Sequence, residues 1–160
     1  EAVTLSITML GIVAFWSGLM EVAVEAGVME SMMKLLNPFL HFLFPRIPHN
    51  HPALRSIGVN FVANIPGLGW AATPAGLKAM EELSDMAKKQ GKPTHIATNE
   101  MCVFLIINIS SLQLIPVNMI AYRSQYGSVN PAGIIMPAIM ATFLNSMVAI
   151  AYCKMKQKRN

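Results

Sequence analysis

Ser56–Leu77, SIGVNFVANIPGLGWAATPAGL, decides the fold: 22 residues without an acidic or basic side chain. A spanning helix needs roughly 20 apolar residues, so this stretch is long enough to enter a bilayer. Yet Asn60 and Asn64 stand one helical turn apart inside it, and Pro66, Gly67, Gly69, Pro74 and Gly76 follow. Prolines and glycines interrupt a helix and leave backbone N–H and C=O groups unpaired. In hydrocarbon such an interruption survives only where protein or a polar cavity covers it. The segment therefore reads as a site within a membrane domain, whether it crosses the bilayer or re-enters.

The rest of the chain agrees with that setting. Of 160 residues 54% are hydrophobic and 12% charged, against about a quarter charged in soluble domains. Residues 2–20, 56–77, 101–122 and 124–153 contain no Asp, Glu, Lys or Arg, and each approaches or exceeds spanning length. The expected fold class is an all-α integral membrane protein: one polytopic bundle over residues 1–160 with interrupted or re-entrant helices.

The net charge of +4 is not a nucleic-acid signal, because Lys154, Lys156, Lys158 and Arg159 crowd the last seven positions. A basic tail directly after a hydrophobic segment predicts a cytoplasmic C-terminus. Cys102 and Cys153 have no metal-site spacing and read as two buried free thiols.

Along the chain, residues 2–20 predict a transmembrane helix with Trp16 near an interface. Glu21 and Glu25 carry it into a polar region. Residues 31–48, SMMKLLNPFLHFLFPRIP, are interrupted by Asn37-Pro38, are too short to span, and predict an interfacial amphipathic element. Thr73-Pro74 has the form of a helix start, with threonine as cap and proline at the first helical position. An amphipathic helix then runs to Gln90-Gly91-Lys92-Pro93. Residues 101–122 form a second polar-spotted segment, interrupted at Pro116. Residues 132–153 form the last helix, with Thr142, Asn145 and Ser146 clustered on it, and 154–160 are the tail. Arg46, Arg55 and Arg123 stand at hydrophobic boundaries, where snorkelling explains them.

Asn60 and Asn64 share a helix face, and Asn108, Ser110, Ser111 and Gln113 offer a second polar surface. Each amide brings two donors and two acceptor lone pairs. These groups can serve as interhelical glue worth roughly 0.6–2 kcal/mol apiece, or can face a cavity and bind a hydrogen-bonding solute. Amides and hydroxyls without carboxylates suit a neutral ligand rich in hydroxyl or amide groups. His41, His49, His51 and His95 lack the carboxylates or thiolates that would complete a metal set, so no metal and no cofactor is expected. Nothing matches the HExxH or GxSxG patterns, and no enzyme is expected.

Three strings together resemble a known family. They are AFWSGLMEVAVEAGVMESMMKLLNPFLHFLFPRIPHNHPA (14–53), the run from Asn60 through AATPAGLKAMEEL (71–83), and the run from Asn108 through LIPVNMIAYRSQYGS (114–128). The chain resembles the spore maturation protein A family, which carries the gate, or nucleoside-recognition, domain. Asn60, Asn64, Gly67, Gly69, Thr73, Asn108, Ser110 and Ser111 fall on its motif positions. The resemblance implies a multi-pass protein of the bacterial inner membrane, with no nucleic acid as partner. It further implies a sister subunit resembling spore maturation protein B, or further copies of the chain itself. It also implies a further hydrophobic segment upstream of Val3, in keeping with a sequence that starts at Glu1 rather than Met. Two functions follow as expectations: gating or transport of a small polar solute at the interrupted segments, or a non-transporting scaffold for the sister protein.

Overall fold

The computed structural model describes residues 3–159 except 5, 8, 9, 12, 13, 16, 17, 19–21, 23, 24, 66, 68, 94, 111 and 112. The expected 2–20 span, with Trp16 and Glu21, falls largely outside the described residues. Six α-helices follow: α1 Val28–Leu43, α2 Pro52–Asn64, α3 Gly69–Lys89, α4 Asn99–Ile109, α5 Val117–Gln125 and α6 Ile135–Arg159, the last entered through a 3-10 turn at Pro131–Ile134. Among the described residues there is no strand.

The 56–77 stretch is divided between two helices that form a hairpin. Pro52 occupies the first helical position of α2, and the His51 Nδ1 accepts the Ala53 N–H at 3.2 Å. Proline suits that position because its missing N–H would have had no helical partner. At the other end, the Gly67 N–H donates to the Asn64 carbonyl at 2.9 Å, and Gly67 has φ +83°. Helix α3 then starts at Gly69, not at Thr73, and Pro74 lies inside it. The expected threonine cap is thus corrected. There the proline removes the bond that its N–H would have donated to the Trp70 carbonyl and crowds that carbonyl with its ring, and the helix continues through it. Helix α3 ends where Gly91, at φ +70°, lets its own N–H reach Lys88 O (2.9 Å) and Lys92 N–H reach Ala87 O (3.0 Å). This pair of bonds satisfies the last orphan carbonyls.

Helix α1 runs unbroken through Pro38, so Asn37-Pro38 does not interrupt it. Tertiary packing holds it together: Leu40, Leu43 and Phe44 are fully buried. A Cβ on Gly58 of α2 would lie 2.5 Å from the Met33 sulfur and 3.0 Å from Leu40 Cδ1, so that glycine sets how closely α1 lies on α2. The core joins Leu40, Leu43, Phe44 and Ile47 to Ile57 and Phe61 of α2, Leu83 and Met86 of α3, Phe104 and Ile107 of α4, and Cys153 of α6. Cys102, expected to be buried, is exposed, and both thiols are free.

Residues 101–122 also divide, into α4 and α5. Helix α4 has 11 residues, about 16 Å of helix, short of the roughly 30 Å hydrocarbon core. Among the described residues one helix is long and apolar enough to cross a membrane, Pro131–Lys158. Only 11% of its most apolar stretch is buried within the protein. Near its C-terminus, Lys154 Nζ donates to the Phe42 carbonyl and lies 4.1 Å above the Phe42 ring, while Gln157 Nε2 donates to the Leu43 carbonyl at 3.0 Å. These are end-of-helix carbonyls of α1, which lack partners of their own.

Arg123 does not snorkel. Its guanidinium binds Pro131 O (3.2 Å), Ser128 Oγ (3.1 Å) and Asn130 O (3.1 Å), closing the turn between α5 and α6.

Candidate functional site

The two interruptions meet. Leu114 N–H donates to Ile65 O at 2.9 Å, joining the residues just before α5 to the turn that ends α2. A Cβ on Gly67 would lie 2.1 Å from the Ile115 carbonyl oxygen, so only glycine lets these backbones approach. Ser110 Oγ donates to Ile107 O at 2.7 Å, and Asn145 Nδ2 of α6 donates to Ser110 O at 2.8 Å, covering the end of α4. The unpaired groups created by each interruption are thus met in part by the other interruption and by α6, as a water-poor interior requires.

Beside this junction stand three asparagines. Asn60 and Asn64 are buried on α2, and Asn108 is half-buried on α4. Asn60 Nδ2 donates to Ala72 O of α3 at 2.9 Å. Asn64 Nδ2 is shared among Asn60 O (3.0 Å), Asn60 Oδ1 (3.3 Å) and Asn108 Oδ1 (3.1 Å). That leaves Asn64 Oδ1 and Asn108 Nδ2, an acceptor and a donor, without a hydrogen-bond partner among the described residues. Asn60, Asn64, Thr73 and Asn108 line a cleft of about 210 Å³, with Leu77, Met80, Phe104 and Leu105 as apolar walls. No side chain with a formal charge lines it. The arrangement offers a donor–acceptor pair beside an aromatic ring, which suits a small uncharged hydrogen-bonding molecule.

The nominated residues therefore separate. Asn60, Asn64, Asn108 and Thr73 come together on the cleft. Gly67 serves the backbone junction, Ser110 is occupied by backbone partners, Gly69 begins α3, and half-buried Gln113 is not among the cleft-lining residues. Ser111 lies outside the described residues. Gly76 went unrecognised as a site residue: a Cβ there would lie 2.9 Å from Asn60 Nδ2, so this glycine makes room for the Asn60 amide. Its spacing from Asn60 carries no signal until the hairpin is known. His49 Nδ1 and His41 Nε2 are 2.8 Å apart across the turn after α1. Among the described residues no three His, Cys, Asp or Glu side chains gather as a metal set would require.

Residues 6–147 match the family described as Gate, nucleoside recognition. Spore maturation protein A of Bacillus subtilis (strain 168) is 41% identical over 150 residues, covering 94% of this chain and 74% of that protein. No solved structure matches the chain.

Proposed function

The chain belongs to the spore maturation protein A family of Gate nucleoside-recognition proteins, and on that premise we propose that it is an integral membrane subunit gating the passage of a small uncharged polar solute. The observation that carries this reading is the pair left unmatched in the asparagine cleft, Asn64 Oδ1 and Asn108 Nδ2. A ligand with a complementary donor and acceptor would meet both groups at the cleft wall. Asn60 positions the cleft through Ala72, Asn64 and Asn108 bind the solute, and Ile65 and Gly67 with Leu114 and Ile115 mark the interruption at bilayer depth. The protein works in the bacterial inner membrane with its C-terminus cytoplasmic, beside a sister subunit resembling spore maturation protein B or further copies of itself. It uses no cofactor and catalyses no reaction.

One observation favours a second reading. Asn60 and Asn64 already tie α2 to α3 and α4, as glue in a scaffold would. Solute flux in vesicles and co-purification of the sister subunit separate the two. Under the gating reading, Asn108→Ala abolishes flux and leaves assembly intact. Loss of assembly with normal flux per assembled complex is the scaffold outcome.

A further inference from the structure

The α2–α3 hairpin has a second cleft, on its other flank. Positions 52, 55, 56 and 59 of α2 recur at helical spacing and form one face, next to the face that carries Asn60 and Asn64. Across from them stand Ala75, Lys78 and Glu82 of α3, and together they line a cleft of about 440 Å³. Three formal charges surround it: Arg55, Lys78 and Glu82. None of the three makes an ion pair or hydrogen bond among the described residues. Among the described residues the Glu82 Oε2 is buried and without a partner. Ser56 is 8% exposed, and its hydroxyl makes no hydrogen bond among the described residues.

Such an arrangement is costly if the cleft stays empty. A carboxylate oxygen removed from water without a hydrogen bond loses its hydration and gains nothing. Arg55 and Lys78 line the same cleft yet remain beyond ion-pair distance of it. A bare anion would meet the two cations and the Ser56 hydroxyl, but would also face the Glu82 carboxylate. A bare cation would meet Glu82 and be repelled by the other two. The set is complementary to a molecule bearing both signs. The first turn of α2, which begins at Pro52 on the rim, adds the partial positive charge of a helix N-terminus on the side where the anion belongs.

We infer that the Arg55–Lys78–Glu82 cleft binds a zwitterionic group in which a phosphate lies next to a primary ammonium. Arg55, Lys78 and the Ser56 hydroxyl take the phosphate oxygens, and Glu82 accepts the ammonium N–H. A phosphoethanolamine lipid headgroup and a soluble phosphoethanolamine share this chemistry. The site is distinct from the asparagine cleft and does not depend on the gating reading.

The test uses the full chain in maltoside detergent and counts adducts by native mass spectrometry. It is titrated with phosphatidylethanolamine, with phosphatidylglycerol, and with phosphatidylethanolamine in competition with soluble phosphoethanolamine. The wild type should take one phosphatidylethanolamine with clear preference over phosphatidylglycerol. Arg55→Gln and Lys78→Gln should each weaken that adduct about tenfold, as loss of a charge-assisted hydrogen bond does. Glu82→Gln should erase the preference for the amine-bearing lipid while phosphatidylglycerol still binds, a result that misfolding cannot produce. Lys89→Gln, an exposed cation of the same helix outside the cleft, should bind as wild type. Competition by soluble phosphoethanolamine supports the site with a soluble ligand, and its failure to compete supports the site with a lipid. Equal binding of both lipids by the wild type, no adduct with either, or the same weakening in Lys89→Gln as in Arg55→Gln overturns the inference.

Discussion

Helices α2 and α6 fall mostly within uncharged runs of the sequence, 56–77 and 124–153, yet they occupy opposite environments. Ten of the 13 residues of α2 are buried within the protein. In the 25-residue α6, Ala149 and Cys153 are the buried residues among those described, while Met136, Met140, Phe143, Leu144 and Val148 are exposed. The inner helix is built from Ala53, Ser56, Gly58, Asn60, Ala63 and Asn64 alongside its larger side chains; the outer one shows bulky apolar side chains to its surroundings. Hydropathy thus reports removal from water without saying whether lipid or protein replaces it. Small and amide-bearing residues make that distinction, because they let helices approach and need partners only protein supplies.

The contrast can be broken at defined positions. Gly67→Val should have the largest effect, since it places a Cβ 2.1 Å from the Ile115 oxygen at φ +83°. A loss of more than about 3 kcal/mol by thermal unfolding in detergent is expected, from backbone strain plus overpacking. Gly127→Val, also at positive φ but with nothing near its Cβ, is the control and should cost only the roughly 1–2 kcal/mol of the backbone conformation. Next comes Asn60→Leu, which removes the partner of Ala72 O inside the hairpin and should cost about 1–3 kcal/mol. Gly76→Ala should sharpen the comparison more gently. Its Cβ displaces the Asn60 amide, so under the gating reading solute flux should fall while the melting temperature moves by only a few degrees, equivalent to about 1 kcal/mol. On the outer helix, Met140→Leu should change stability by less than about 0.5 kcal/mol. A larger loss there would mean that another protein surface, not lipid, covers α6.

The site was legible in the sequence where local spacing carried it. Asn60 and Asn64 share a face because four residues make about one turn, and the glycines after them announced an end to α2. Asn108 was legible only as a polar residue in an apolar run; that it meets Asn64 is a property of the chain's path. Thr73-Pro74 misled because a local capping rule competes with tertiary contacts. Asn60 binds the Ala72 carbonyl, holding as helix the turn just before Thr73. The same limit applies to Pro38, where a local breaker is overruled by Leu40 and Leu43 packed on α2. Arg123 illustrates it again: boundary position suggests snorkelling, whereas the neighbouring turn offers it three acceptors within 3.2 Å. The places where the 56–77 and 101–122 runs divide into separate helices were not legible from their lack of charge, because an uncharged run does not reveal where its backbone turns.

Lys154 and Gln157, held to the last carbonyls of α1, fix the end of α6 beside the proline-rich turn that follows Leu43. That turn and the C-terminal end of α6 consequently lie side by side, so a label at either one reports on the surroundings of both, and the basic segment after Cys153 is a strut between helices.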